Sequence, residues 1–223
     1  MNTRCASRLA AAGLGFAALA AAAQTAPPPL PPEPAGTAAF VLSANTDGPL
    51  TPTTPNPYSY GRPWIRVDVK SQRLTYFDGW GLPVRHYEVS TAKNGVGELK
   101  NSYQTPRGWH RVCERIGDGV EADTIIFRRE VTPWKYTRAL HEQYPNKDWI
   151  LTRILWLCGM EPGKNQGGDV DSYERFIYIH GAGQHVAYGT PTSLGCVRMK
   201  SEDVIDLYER TPNGTDVVIE ENG

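Results

Sequence analysis

Trp64-Ile65-Arg66-Val67-Asp68-Val69-Lys70 is the stretch from which the fold is read. Ile65, Val67 and Val69 alternate with Arg66, Asp68 and Lys70, the period of a strand with one face buried and the other in water. Residues 74–77 supply a partner strand, Asp78-Gly79-Trp80-Gly81 a turn and residues 84–91 a third strand, so a β-meander opens the domain. Farther along, residues 109–112 and 124–128 carry strand-forming side chains. Residues 176–179 form a short strand, and 217–219 close the domain after the tight turn Asn213-Gly214. Short strands dominate, which predicts a mainly β, sandwich or barrel-like domain with one or two accessory helices.

Two segments read as helices. Residues 133–144 place Pro133 in a first turn and Pro145 after the end. After Met199, Ser201 is positioned to cap a helix whose first turn holds Glu202 and Asp203 and whose apolar face is Val204, Ile205, Leu207 and Tyr208. The run 149–160 is apolar throughout, and periodicity leaves strand and helix both open. Residues 92–104 and 163–171 are polar, glycine-containing loops, and loops of this length in a compact domain more often carry function than not.

On the N-terminal side the composition changes twice. Arg4 and Arg8 precede an Ala/Leu-rich run that ends in Ala21-Ala22-Ala23, the pattern of a secretory signal peptide over 1–23. Residues 24–57 are proline-rich and lack apolar periodicity, which reads as an extended linker, and 58–223 is the folded domain. Export predicts a periplasmic or secreted protein. A chain with 23 basic and 24 acidic residues, net charge −1, gives no footprint for nucleic acid. Without Cys5 three cysteines remain, an odd number for an oxidising compartment. Cys113 and Cys158 either pair or stay reduced in the core, and Cys196 is left as a candidate reactive thiol.

Ile179-His180-Gly181 and Thr192-Ser193-Leu194-Gly195-Cys196-Val197-Arg198-Met199 hold the chemistry. An imidazole that takes the proton of a thiol makes it a strong nucleophile. His180 and Cys196 are candidates for that base and nucleophile, with glycines between them to let the chain return. The plainer reading is a structural histidine and a buried cysteine. His185, between the two, is a surface histidine or a substrate-contacting one. His86, His110 and His141 lack the spacing of metal ligands, so no metal and no cofactor are expected. Trp80, Trp109, Trp134, Trp149 and Trp156 read as core anchors or groove liners.

His180-Gly181, Ser193-Leu194-Gly195-Cys196-Val197-Arg198-Met199 and Thr105-Pro106-Arg107-Gly108 together resemble the signature of bacterial L,D-transpeptidases with the YkuD catalytic domain. Val67-Asp68-Val69, Gln72-Arg73-Leu74 and Ser90-Thr91 extend the resemblance over about 65–219. It implies a β-sandwich-like fold, an extracytoplasmic location and peptidoglycan stem peptides as partners. The implied reaction cleaves before the terminal D-residue of a tetrapeptide and passes the acyl group from the cysteine to an amine, which in some cases belongs to a wall-attached protein. It further implies that the Gly181 carbonyl orients His180 and that backbone N–H groups at Gly195 and Cys196 form an oxyanion hole. Arg198 is a candidate ligand for a stem carboxylate, or else an ion pair under the loop. Ser193 binds either the turn or the substrate. Leu194 stands where many members have a second histidine, and Ala182 where many have Ser or Thr. A hydrolase using the same Cys and His, and a non-catalytic wall-binding module, are the competing readings. Oligomeric state is not legible.

Overall fold

A computed structural model describes residues 61–221; the predicted signal peptide (1–23) and proline-rich linker (24–57) lie outside them. The strands are β1 (Trp64–Asp68), β2 (Arg73–Phe77), β3 (Pro83–Glu88), β4 (Gly108–Ile116), β5 (Thr124–Phe127), β6 (Glu130–Lys135), β7 (Leu151–Gly159), β8 (Tyr178–Gly181), β9 (Val197–Met199) and β10 (Asp216–Glu220). Two helices, α1 (Arg138–Gln143) and α2 (Ser201–Arg210), accompany them. The protein is mainly β, and the strands form one mixed sheet.

The sheet runs β3-β2-β1-β10-β4-β7-β5-β6, with β8 on β7 and β9 on β8. β1–β2–β3 is the expected antiparallel meander. β10 enters the middle of the sheet, parallel to β1 and antiparallel to β4. Just past β3, Ser90 exchanges two backbone hydrogen bonds of 2.9 Å with Arg198 of β9. Hydrogen bonding therefore runs from β3 across to β9 and back to the chain just beyond β3, a barrel-like closure made through the Ser90–Arg198 bridge.

Inside the closure, Ile65, Val67, Leu74, Val112, Leu155, Leu157, Ile179, Val197, Met199 and Ile219 form one apolar cluster. α2 lays Val204, Leu207 and Tyr208 onto it. Burying a side chain of this size stabilises by roughly 1.5–3 kcal/mol. A smaller cluster on the outer face holds Ile126, Ile154, Trp156 and Tyr178, with Cys196 packed against it.

The structure corrects several expectations. Pro133 and Trp134 lie in β6, not in a helix; the helix starts at Arg138, where Thr137 Oγ1 caps the Leu140 N–H at 3.1 Å. β6 is an edge strand, the one place in a sheet where proline's missing N–H costs nothing. Ser201 does not cap α2. Lys200 occupies that position without a side-chain bond, and Ser201 Oγ donates instead to Asp123 Oδ1 at 2.6 Å. The ambiguous run 149–160 is β7, flanked by β4 and β8 and apolar on both faces because both are covered. Trp149 and Trp156 are core residues, whereas Trp80 and Trp134 are 70% and 53% exposed.

Candidate active site

β8 and β9 run parallel in the register Ile179↔Val197 and His180↔Arg198, and Cys196 directly precedes β9. Side chains alternate along a strand. Ile179 and Val197 therefore turn into the core, while Tyr178, His180, Cys196 and Arg198 share the outer face. Cys196 is one strand over and two residues along from His180, a rise of roughly 6.6 Å. The sixteen-residue excursion thus brings the two candidates to one surface.

His180 is fully buried, and its Nδ1 lies 2.8 Å from the Gly181 carbonyl oxygen. A carbonyl only accepts, so Nδ1 carries the proton and Nε2 is left with its lone pair. Nε2 is buried and has no hydrogen-bond partner. Burial pushes the His180 pKa below the ordinary histidine value, aided by the Arg198 charge and opposed by Asp148 and the Gly181 bond. A Cβ on Gly181 would stand 2.6 Å from the Leu151 carbonyl and 3.2 Å from Thr152 Cβ, so only glycine lets β8 approach β7 this closely. Thr152 opposite it takes φ 69° within the bulged register of β7, a rare conformation for a β-branched residue.

Cys196 is the free cysteine of the described residues; Cys113 and Cys158 form a disulfide. Its Sγ accepts from the Tyr178 N–H and donates to the Phe176 carbonyl, both at 3.4 Å. Burial, then the Asp148 charge, push the thiol pKa up to about 12, against the Tyr178 N–H and the Arg198 and Arg175 charges. The resting pair is therefore a neutral thiol and a neutral imidazole.

The turn before Cys196 is built from both sides. Gly195 takes φ 132°, open to glycine alone. Ser193 Oγ donates to the Cys196 carbonyl at 2.6 Å and accepts from the Gly195 N–H at 3.2 Å, so this hydroxyl holds the turn. Thr105 Oγ1 donates to the Gly195 carbonyl at 2.9 Å and accepts from the Ala92 N–H at 3.0 Å. Leu194 points outward, 57% exposed.

Arg198 is 8% exposed; Nη2 contacts Asp148 Oδ1 at 2.8 Å, and Nη1 contacts Thr192. Both terminal nitrogens of its fork are thus engaged, in the ion pair under the loop and at Thr192. His185 Nδ1 meets the Tyr136 hydroxyl at 2.7 Å, and its ring stacks on His141 at 3.9 Å. Sequence reasoning missed Asp148, Arg175, Tyr178 and Arg129. Arg175 donates to the carbonyls of Glu98 at 2.6 Å and Gln104 at 2.7 Å, which fastens loop 92–104 beside the site. No sequence spacing relates these four to Cys196; tertiary contact alone does. Two clefts among the described residues, of about 410 and 240 Å³, lie elsewhere, and Cys196 lines neither. Among the described residues no group of three or more His, Cys, Asp or Glu gathers as a metal site.

Comparison with known proteins places the chain in a family. The family model "L,D-transpeptidase catalytic domain" (YkuD) matches residues 62–219. The chain is 28% identical over 158 residues to the "Probable L,D-transpeptidase ErfK/SrfK" of Salmonella typhimurium, covering 71% of this chain and 44% of that protein. It is 26% identical over 154 residues to the "Probable L,D-transpeptidase YbiS" of Escherichia coli K12, covering 69% and 43%. Among solved structures, L,D-transpeptidase 3 from Mycobacterium tuberculosis aligns with a TM-score of 0.44 and 15% identity, covering 71% of this chain and 62% of that one. The chain thus spans less than half the length of the curated relatives it matches. Because the matched segment takes in most of the chain, and both His180 and Cys196 with it, the protein belongs to the YkuD family of L,D-transpeptidase catalytic domains.

Proposed function

We propose that this protein is an exported cysteine acyltransferase acting on peptidoglycan stem peptides. The observation that carries the reading is the fixed tautomer of His180. The Gly181 carbonyl holds the Nδ1 proton, so the unpartnered Nε2 is a base on the face that bears the free thiol. Nε2 takes the S–H proton as sulfur attacks the donor carbonyl carbon. The resulting oxyanion faces the N–H groups of Cys196 and Gly195, the latter releasing its long contact to Ser193 Oγ. Each such donor contributes about 2.7–4 kcal/mol. The tetrahedral intermediate collapses to a thioester as the His180 imidazolium gives its proton to the departing amine of the terminal D-residue. An acceptor amine then attacks the thioester and loses a proton to His180, which leaves an amide and a free thiol.

The acceptor is an amine of a second stem peptide or of a wall-attached protein. The Cys113–Cys158 disulfide and the signal-peptide pattern read in residues 1–23 both support an extracytoplasmic location. No helix among the described residues is long and apolar enough to cross a membrane.

Incubation with purified muropeptides tests the proposal. Tetrapeptide-containing dimers, lost in Cys196→Ala and His180→Ala, are the expected products. Release of D-alanine alone would make water the acceptor, and an inert wild type would leave only a wall-binding role. A carbapenem should add its mass to the wild type and not to Cys196→Ala.

A further inference from the structure

We propose that Arg129 reads the C-terminal carboxylate of the donor peptide; the inference deepens the acyl-transfer reading and rests on it. Three guanidinium groups surround the Cys196 cluster. Arg198 spends its terminal nitrogens on Asp148 and Thr192. Arg175 spends its own on the carbonyls of Gly97, Glu98 and Gln104. Arg129 is different. Its side chain hydrogen-bonds the Tyr178 side chain, but among the described residues no carboxylate lies within ion-pair distance of it. Its guanidinium carbon sits 5.1 Å from the Trp156 ring and 5.3 Å from the Phe176 ring. Trp156 and Tyr178 belong to the cluster against which Cys196 packs, and the Phe176 carbonyl receives the Cys196 proton.

The backbone presents this side chain at a conformational cost. β5 and β6 pair Phe127 with Glu130, so Arg128-Arg129 is a two-residue turn with φ 51° and 69°. Such turns favour Asn-Gly, because positive φ crowds a Cβ. Two arginines there give a tight hairpin that sets the Arg129 charge against the Trp156 and Phe176 rings. Strain of this kind collects at ligand-binding positions. Aromatic faces hold a guanidinium flat, and the Arg129 N–H groups not given to Tyr178 can meet the oxygens of a carboxylate.

The leaving residue of a peptide cut before its last residue carries such a carboxylate, one carbon beyond its amide nitrogen and Cα. A cation at the rim of the thiol site recognises peptides that end there. It also rejects those that continue.

Binding is measured by calorimetry on the full chain carrying Cys196→Ala, with two tetrapeptides ending in D-alanine, one the free acid and one its carboxamide. The free acid should bind about tenfold or more tighter, the scale of a charge-assisted pair. Adding Arg129→Ala should erase that preference without weakening the carboxamide, and Arg129→Lys should restore part of it. Equal binding of both peptides to the Arg129-containing protein, no binding of the free acid, or an equal loss for both in Arg129→Ala would overturn the proposal. Acylation of Cys196 is read separately by mass in the native protein. Its absence, with carboxylate discrimination intact, would sink the acyl-transfer reading and leave the carboxylate site standing.

Discussion

The proton of Cys196 has two possible acceptors, and the resting structure gives it to the Phe176 carbonyl. Transfer to His180 therefore needs a turn of the S–H bond, which substrate binding can supply. Burial and the Asp148 carboxylate both oppose a thiolate and place the thiol near 12. The alkylation rate by a small neutral reagent should then climb about tenfold per pH unit past pH 9, beyond the ordinary thiol value near 8.5. A plateau at neutral pH would mean a preformed thiolate–imidazolium pair. Asp148→Asn should raise that alkylation rate at any fixed pH, because it removes an opposing charge and frees Arg198 to favour the thiolate. The same change should lower stability, since it strands a buried guanidinium. Faster reaction of a less stable variant is the expected signature.

At the scale of elements, loop 92–104 is fastened to the nucleophile turn. Lys93 N–H donates to the Ser193 carbonyl at 2.9 Å, and Thr105 Oγ1 bridges the Ala92 N–H and the Gly195 carbonyl. Thr105→Val keeps the volume and leaves two buried backbone groups unpaired, at a cost of about 2–3 kcal/mol. Cys196 acylation should slow as Gly195 loosens, and Thr105→Ser should recover both stability and rate; a full rate in the valine variant would remove the loop from the mechanism. The sequence made parts of this legible. β1 was readable because one of its faces meets water, so Ile65, Val67 and Val69 alternate with polar residues. β7 was not, because a strand covered on both faces has the composition of a buried helix. Pro133 fits a helix start and an edge strand equally well, so the boundary of α1 was misplaced. Thr105-Pro106-Arg107-Gly108 could be seen as a motif, but its task, holding the Gly195 carbonyl ninety residues later, could not. His180 and Cys196 were readable from chemistry and spacing, whereas Asp148 and Arg129 reach the site only through folding.

Over the whole molecule, the core lies inside the closed sheet and the candidate site lies outside it. His110 is fully buried, with ring nitrogens 2.9 Å from the Gly108 carbonyl and from Ser172 Oγ, and burial lowers its pKa to about 4. Between about 6.5 and 4 the unfolded chain binds a proton there that the native protein does not. Stability falls as pH drops through that window, by about 3 kcal/mol for this group alone, and His110→Asn should flatten the denaturant midpoint against pH by about one proton. The Cys113–Cys158 disulfide joins β4 to β7, strands that already share hydrogen bonds, across 45 residues of chain. Its effect is therefore chiefly on the unfolded ensemble, and the loop-entropy relation puts it at about 4 kcal/mol. Cys113→Ala with Cys158→Ala should lose roughly that much in denaturant unfolding, while the native alkylation rate of Cys196 stays unchanged because neither cysteine touches its cluster. A slower or faster Cys196 in that variant would show that the disulfide is coupled to the thiol site through β7, which carries both Cys158 and the Trp156 of the Cys196 cluster.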